Sequence, residues 1–206
     1  MGYRNYLCVA DRKKFNKFRK LNAEQMWDLV GKDKAFDEED LEIAPWYYDI
    51  KEIIGLEEIF EFGKYIDFYD RIKQYLKPAF KDKNVQEQYN EEEEFMIAKP
   101  EIIQECMTIF KEKIEIYYKD LLNEKSSDEY DKRSQLDRLK SDVNDHLAWA
   151  QFLDKLPENK WNLGGGWLYE HGVFTLMHIA RIFNPKKHIL LWLGHWDGEW
   201  RMKLQY

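Results

Sequence analysis

The sequence lacks most of the short motifs that identify an enzyme or a metal protein directly. Its two cysteines, Cys8 and Cys106, are too far apart in the chain to form a CxxC pair, and no GxSxG segment typical of serine hydrolases occurs. The triple glycine at 164–166 is followed by Trp167 rather than by the lysine and hydroxyl residue of a phosphate-binding loop. We therefore interpret it as a connector, and patterning and charge become the evidence for fold and function.

Long hydrophobic runs are absent as well. No segment approaches the roughly 18 consecutive apolar residues of a membrane-spanning helix, and the N-terminus has no apolar stretch typical of a secretory signal. We expect a cytoplasmic protein that does not interact with membranes. In a reducing compartment, two cysteines that lie within apolar runs are expected to be buried free thiols.

Negative charge is in excess, but it is unevenly distributed along the chain. The net charge is −7. Residues 1–35 contain nine Lys and Arg against four Asp and Glu, whereas residues 36–70 contain two against twelve. The segment Arg12–Lys20 interleaves basic residues with two phenylalanines, but the overall negative charge argues against nucleic-acid binding. The separation of the two signs is compatible with a protein partner.

Two long segments have the three- and four-residue spacing of a helical face. We predict helices over about 100–123 and 127–156, folded back on each other as an antiparallel pair. Pro100 suits a first helical turn, and Ser126 with Glu129 forms a capping box at the start of the second helix. The predicted inward positions are Ile103, Cys106, Phe110, Ile114, Tyr117 and Leu121 in the first segment, and Leu136, Leu139, Val143, His146, Ala150 and Leu153 in the second.

Shorter elements follow from capping and turn signals near the ends of apolar segments. The predicted strands are 3–10, 59–62 and 95–98. The predicted helices are 12–20 after an Asp11 cap, a helix opened by Asn22 with Gln25 and closed by Gly31, 45–54 closed by Gly55, 65–76, and 172–183. The polar segment 81–94 is predicted to be solvated surface.

The C-terminal residues predict a β-hairpin, because Asp197-Gly198 is a strong two-residue turn signal between strands 188–195 and 199–206. Since side chains alternate between the faces of a strand, one face collects the apolar residues and is expected to be core. These residues are Ile189, Leu191, Leu193, Met202, Leu204 and Tyr206. The other face, which we expect to be exposed, has Trp192 opposite Lys203 and Gly194 opposite Arg201.

Together these elements predict an α+β fold within a single domain, 1–206. A small mixed or antiparallel sheet, built from 3–10, 95–98 and the C-terminal β-hairpin, packs on the long antiparallel helix pair, and shorter helices complete the fold. Strands do not alternate regularly with helices, which disfavours a parallel doubly wound sheet.

Tryptophan is the most distinctive feature of the C-terminal part of this acidic, tryptophan-rich chain. Five tryptophans occur there: Trp161, Trp167, Trp192, Trp196 and Trp200. Aromatic residues beside arginine and lysine are enriched at protein interfaces, although they also fill protein cores. We predict that a partner is bound through Trp192, Trp196, Arg201, Lys203 and Trp167.

The five histidines do not have the spacing of a metal site. His171 and His178, and also His188 and His195, are seven residues apart, whereas two ligands on one helix need a spacing of three or four. We therefore predict neither a metal nor another cofactor. An acid–base site is the remaining catalytic possibility, with His146, Glu170 and His171 within about 4 Å of one another in an open cleft.

The first functional hypothesis is thus a cytoplasmic protein-binding module with an immunity or inhibitor type of role. It depends on the absence of catalytic motifs and on the separation of charge. The alternative is an enzyme that uses His146, Glu170 and His171.

Overall fold

The computed structural model divides the chain into two compact units, which are described separately. Unit 1 comprises Met1–Ile102 with Phe183–Tyr206, and unit 2 comprises Ile103–Ile182. The structure describes residues 3–35, 39–45, 47–63, 69–91, 93–123, 129–153, 155–156, 160–161 and 169–196. The single-domain organisation and the packing of the sheet on the helix pair stay predictions.

The predicted α+β class is confirmed, with one five-stranded antiparallel sheet and eight α-helices in the described residues. The strands are β1 Tyr3–Asp11, β2 Glu57–Gly63, β3 Leu76–Pro78, β4 Glu93–Ala98 and β5 His188–Trp196. The helices are α1 Arg12–Phe18, α2 Ala23–Val30, α3 Tyr47–Ile54, α4 Tyr69–Ile72, α5 Lys83–Glu91, α6 Ile102–Asn123, α7 Glu129–Leu153 and α8 Tyr169–Ile182.

Strand β5 is the central strand of the sheet, whose order is β2-β1-β5-β4-β3. Leu193 pairs with Tyr6 of β1 on one edge and with Phe95 of β4 on the other. Antiparallel neighbours on both edges satisfy the backbone N–H and C=O groups of β5 within the sheet. The C-terminal strand therefore organises unit 1.

This pairing corrects the predicted C-terminal hairpin. The proposed partner strand, 199–206, lies outside the described residues. From Leu190 to His195, β1 and β4 occupy both edges of β5, so the pairing predicted for 199–206 is wrong. The turn signal at Asp197-Gly198 is local, whereas the choice of a strand's partners depends on distant residues of the chain.

The predicted alternation along β5 is confirmed, but its consequence differs. Leu191 and Leu193 lie in the hydrophobic core of unit 1 together with Phe95. Trp192, on the opposite face, is only 1 % exposed, and its ring lies 5.1 Å from that of Phe62. Because β5 is buried on both faces, the expectation of an exposed aromatic face at Trp192 is wrong.

Local capping signals are confirmed in the N-terminal part of the chain. The Asp11 carboxylate accepts a hydrogen bond from the Lys14 N–H at 2.8 Å, which caps α1. Asn22 and Gln25 form a reciprocal capping box on α2. Gly31 then ends this helix at φ +102°, a left-handed backbone conformation that only glycine adopts without strain. Both phenylalanines of α1, Phe15 and Phe18, are buried.

Two elements were missed in the middle of the chain. The polar segment 81–94 contains α5, whose Val85 and Tyr89 are buried one helical turn apart and whose N-terminus is capped by Asp82. The predicted helix 65–76 extends too far, because Leu76 begins β3. The high charge of segment 81–94 concealed its two buried residues, Val85 and Tyr89, which belong to the core of unit 1.

Unit 2 contains α6, α7 and α8, and the two long helices lie close to their predicted bounds. On α6 the predicted inward residues Ile103, Cys106 and Phe110 are buried. On α7 the prediction is wrong in part, because Leu136 and Val143 are 56 % and 50 % exposed. No helix among the described residues is both long and apolar enough to cross a membrane.

Cys8 and Cys106 are free and buried, as predicted. Burial, aided by the Glu58 charge, raises the pKa of Cys8 far above its ordinary value, and burial together with the Glu105 charge raises the pKa of Cys106 to about 12. Both thiols should therefore be unreactive in the folded protein.

We expect an alkylating reagent at neutral pH to leave both cysteines unmodified until denaturant is added, because neither thiolate is formed or accessible in the folded chain. Labelling followed by mass spectrometry measures this directly. A cysteine introduced at the exposed Ser141 is the control. Native labelling of Cys8 or Cys106 at the rate of S141C would contradict the burial of these side chains.

Candidate functional site

Two side chains of the predicted acid–base site are in contact. His146 on α7 places Nε2 at 3.4 Å from Oε2 of Glu170 on α8. The two atoms are within ion-pair distance but do not form a well-aligned hydrogen bond. α7 packs against α8 in unit 2, which brings these residues together although 24 positions separate them in the sequence. The Glu170 side chain is 10 % exposed and that of His146 is 20 % exposed.

Tyr118 of α6 completes this contact from the third helix. Its ring meets the His146 imidazole edge-on, with the ring centroids 6.5 Å apart. Burial, followed by the negative charges of Glu170 and Asp142, raises the pKa of Tyr118 to about 12. The phenol therefore keeps its proton near neutral pH and is a potential hydrogen-bond donor toward the Glu170 carboxylate.

A second tyrosine joins α6 to α7 beside this group. The Tyr117 hydroxyl donates a hydrogen bond to Oδ2 of Asp142 at 3.1 Å. Burial and the Asp142 carboxylate raise the pKa of Tyr117, and the positive charge of Arg138 opposes this shift. Tyr117 and Tyr118 also contact each other, with their ring centroids 5.3 Å apart.

His171, next to Glu170 on α8, is buried and packs against Trp149 of α7, with the ring centroids 4.4 Å apart and the ring planes tilted by 38°. Only 8 % of the residue is exposed, and neither ring nitrogen has a hydrogen-bond partner in the described part of the chain. Desolvation and the neighbouring His146 lower its pKa, while Asp145 and Glu170 act in the opposite direction. Burial of an unsatisfied imidazole favours its neutral form.

We call the five residues that meet at this point the Glu170 cluster: Tyr118, Asp142, His146, Glu170 and His171. The cluster combines two carboxylates, two imidazoles and a phenol, which are groups that transfer protons or accept and donate hydrogen bonds. Within the described residues, no three His, Cys, Asp or Glu side chains are arranged to hold a metal ion. The buried position of Glu170 and His171 differs from the open cleft that the sequence predicted.

The residues predicted for partner binding do not form a described surface. Trp192 is buried in β5, where Leu7 and Met96 are its cross-strand partners, so it is not available for contact. Trp167, Arg201 and Lys203 lie outside the described residues. For Trp196 the structure describes only the backbone, which pairs with Tyr3 at the end of β1.

Sequence reasoning brought His146, Glu170 and His171 together but missed Tyr118, Asp142 and Trp149. A signal for two of these residues was present, because Asp142, His146 and Trp149 follow one another at spacings of four and three on α7. Tyr118 could not be found in this way, since it reaches the cluster from another helix.

Comparison of the chain with protein-family models, curated proteins and solved structures finds no match. Function is therefore argued from the geometry of the chain itself.

The depressed pKa of His171 makes unit 2 sensitive to acid. In the unfolded chain His171 has the ordinary histidine pKa of about 6.5, whereas in the folded chain its pKa is lower. The free energy of unfolding therefore falls as the pH decreases from the unfolded-state pKa to the folded-state pKa. We expect wild type to lose up to about 1.4 kcal/mol per pH unit relative to H171N in this window. Denaturant unfolding at several pH values measures this difference.

Direct titration of the ring by NMR provides an independent check. The His171 midpoint should lie below about 6.5, the value for a solvated imidazole. A midpoint above this value, or parallel stability profiles for wild type and H171N, would show that His171 is not buried in its neutral form.

Proposed function

We propose that this chain is a cytoplasmic protein-binding module with an immunity or inhibitor type of role, and that helix α7 carries the contact surface. The observation that supports this proposal is a row of exposed apolar residues on α7. Leu136, Val143 and Leu147 are 56 %, 50 % and 57 % exposed. We call these three residues the α7 stripe.

The three residues lie on one side of the helix. Their spacings of seven and four residues correspond to two turns and one turn, so the row extends about 16 Å along α7. Six of the eight large hydrophobic residues that are exposed in the described chain belong to unit 2. They are the three residues of the stripe together with Ile116, Phe152 and Met177. Exposed apolar surface that is aligned in this way is typical of helical interaction sites, whereas isolated exposed residues are ordinary.

The charge of the chain constrains the partner. The net charge of the whole chain is −7. Electrostatic complementarity favours a partner with basic residues around an apolar contact. We therefore propose a basic protein that places an apolar segment along Leu136, Val143 and Leu147.

Replacement of the stripe tests this proposal. The variants V143E and L147E each place a charge where the partner would bury an apolar side chain, and should lower affinity by at least about tenfold, which corresponds to roughly 1.4 kcal/mol. Both positions are exposed, so folding should be unaffected. The partner is first isolated by affinity capture from cells that produce the chain, and the purified pair is then measured by calorimetry.

The control variant is A148E, which adds the same charge at an exposed position on another side of α7. Binding should survive in A148E and be lost in V143E and L147E. Equal binding by all three variants, or recovery of the wild-type chain alone, would contradict the proposal.

An acid–base enzyme is the second candidate, because His146 and Glu170 are 3.4 Å apart. Carboxylate–imidazole pairs position a base for proton transfer. A panel of ester, phosphoester and glycoside substrates tests this candidate. Any turnover should be abolished by H146N and E170Q and retained by N144A, a change at an exposed neighbour. Turnover that persists in H146N and E170Q would exclude the Glu170 cluster as the catalytic site.

A further inference from the structure

The Glu170 cluster contains four buried polar atoms that make no well-formed hydrogen bond. Two are Nδ1 and Nε2 of His171, which have no hydrogen-bond partner in the described chain; the others are Tyr118 Oη and His146 Nε2, and His146 Nε2 lies 3.4 Å from Glu170 Oε2. Leaving a buried polar group unsatisfied costs about 1–3 kcal/mol, so such groups are rare in folded proteins. Their meeting around one buried carboxylate indicates a surface shaped for a polar group from outside the described chain.

The chemistry of the cluster determines which group fits. Glu170 is a buried carboxylate, a neutral His171 ring has one acceptor nitrogen and one N–H, and the Tyr118 oxygen accepts as well as donates. The carboxylates of Asp142 and Asp145 lie close enough to affect the pKa values of Tyr118 and His171, respectively. Because the negative charges of Glu170, Asp142 and Asp145 predominate here, the complementary group is a cation.

We propose that the Glu170 cluster receives the guanidinium group of an arginine side chain from the protein partner. This inference rests on the proposed function and specifies its chemistry. An arginine guanidinium has five N–H donors and pairs with a carboxylate through two parallel hydrogen bonds, and its planar face stacks on aromatic rings. Tyr118 and Trp149 supply such rings beside Glu170 and His171.

The position of the cluster agrees with this role. His146 follows Val143 by three residues and precedes Leu147 by one, so the α7 stripe and the cluster lie on adjacent sides of the same helix. The partly exposed His146 side chain marks where the cluster reaches the surface. An arginine anchor beside an apolar contact is a common arrangement of binding hot spots, and side-chain rotation on binding is ordinary at interfaces.

The first experiment uses ethylguanidinium as a probe of the full-length protein. NMR signals of the His146 and His171 rings should shift in a saturable manner, while those of His188 in unit 1 should not. Ethylurea, a neutral molecule of similar shape, should cause no such shift, because it lacks the charge that pairs with Glu170. Equal responses to both probes, or no saturable response to ethylguanidinium, would overturn the inference without requiring any variant to fold.

The second experiment uses the variant E170Q and the purified partner. Loss of the carboxylate should weaken both ethylguanidinium and partner binding by about 10- to 100-fold, the range for a hydrogen bond to a charged group. E115Q, the same substitution at an exposed position of α6, should bind both as wild type does. Circular dichroism and thermal unfolding establish that both variants are folded.

The two proposals fail in different ways. If V143E abolishes partner binding while E170Q binds the partner as tightly as wild type, the arginine site is wrong and the protein-binding function stands. If E170Q weakens ethylguanidinium binding but V143E leaves the partner bound, the α7 stripe is wrong and the cation site stands.

Discussion

The contact between His146 and Glu170 is the constraint on which the functional part of the structure depends, because it fixes the rotation of α7 about its own axis. Successive residues of a helix are separated by 100°, so directing His146 toward α8 also directs Asp142 and Trp149 inward. The same rotation places Val143 and Leu147 beside the buried side of α7, and both side chains are exposed. A buried polar contact and an exposed apolar stripe are therefore two consequences of one orientation.

In unit 1 the corresponding constraint is the position of β5 between β1 and β4. A strand that is paired on both edges and covered on both faces needs an apolar run at its centre, and the sequence Ile-Leu-Leu-Trp-Leu of residues 189–193 meets this requirement. The tryptophan in this run serves the packing of the sheet. This explains why Trp192 is unavailable for partner binding.

Sequence reasoning succeeded where the determining interactions are local. The Asp11 cap, the Asn22–Gln25 capping box and the glycine that ends α2 involve residues within a few positions of one another, and all three are present. It failed where distant residues decide the outcome. The partners of β5 come from residues 3–11 and 93–98, which a turn signal at 197–198 cannot reveal.

The candidate site shows the same division. His146, Glu170 and His171 were grouped because their side chains suit acid–base chemistry, but the contribution of Tyr118 depends on how a third helix packs. The predicted buried face of α7 grouped His146 with apolar residues that include Leu136 and Val143. His146 does face Glu170, but Leu136 and Val143 are exposed, and helical spacing alone does not distinguish between these positions.

The orientation of α7 is tested most directly by the labelling rates of single cysteines introduced along it. V143C and L147C should react with a maleimide nearly as fast as a cysteine at the exposed position 148, and L139C, on the His146 side, should react much more slowly. Rapid labelling of L139C together with protection of V143C and L147C would mean that the helix is rotated the other way, and would contradict both the buried Glu170 cluster and the exposed stripe.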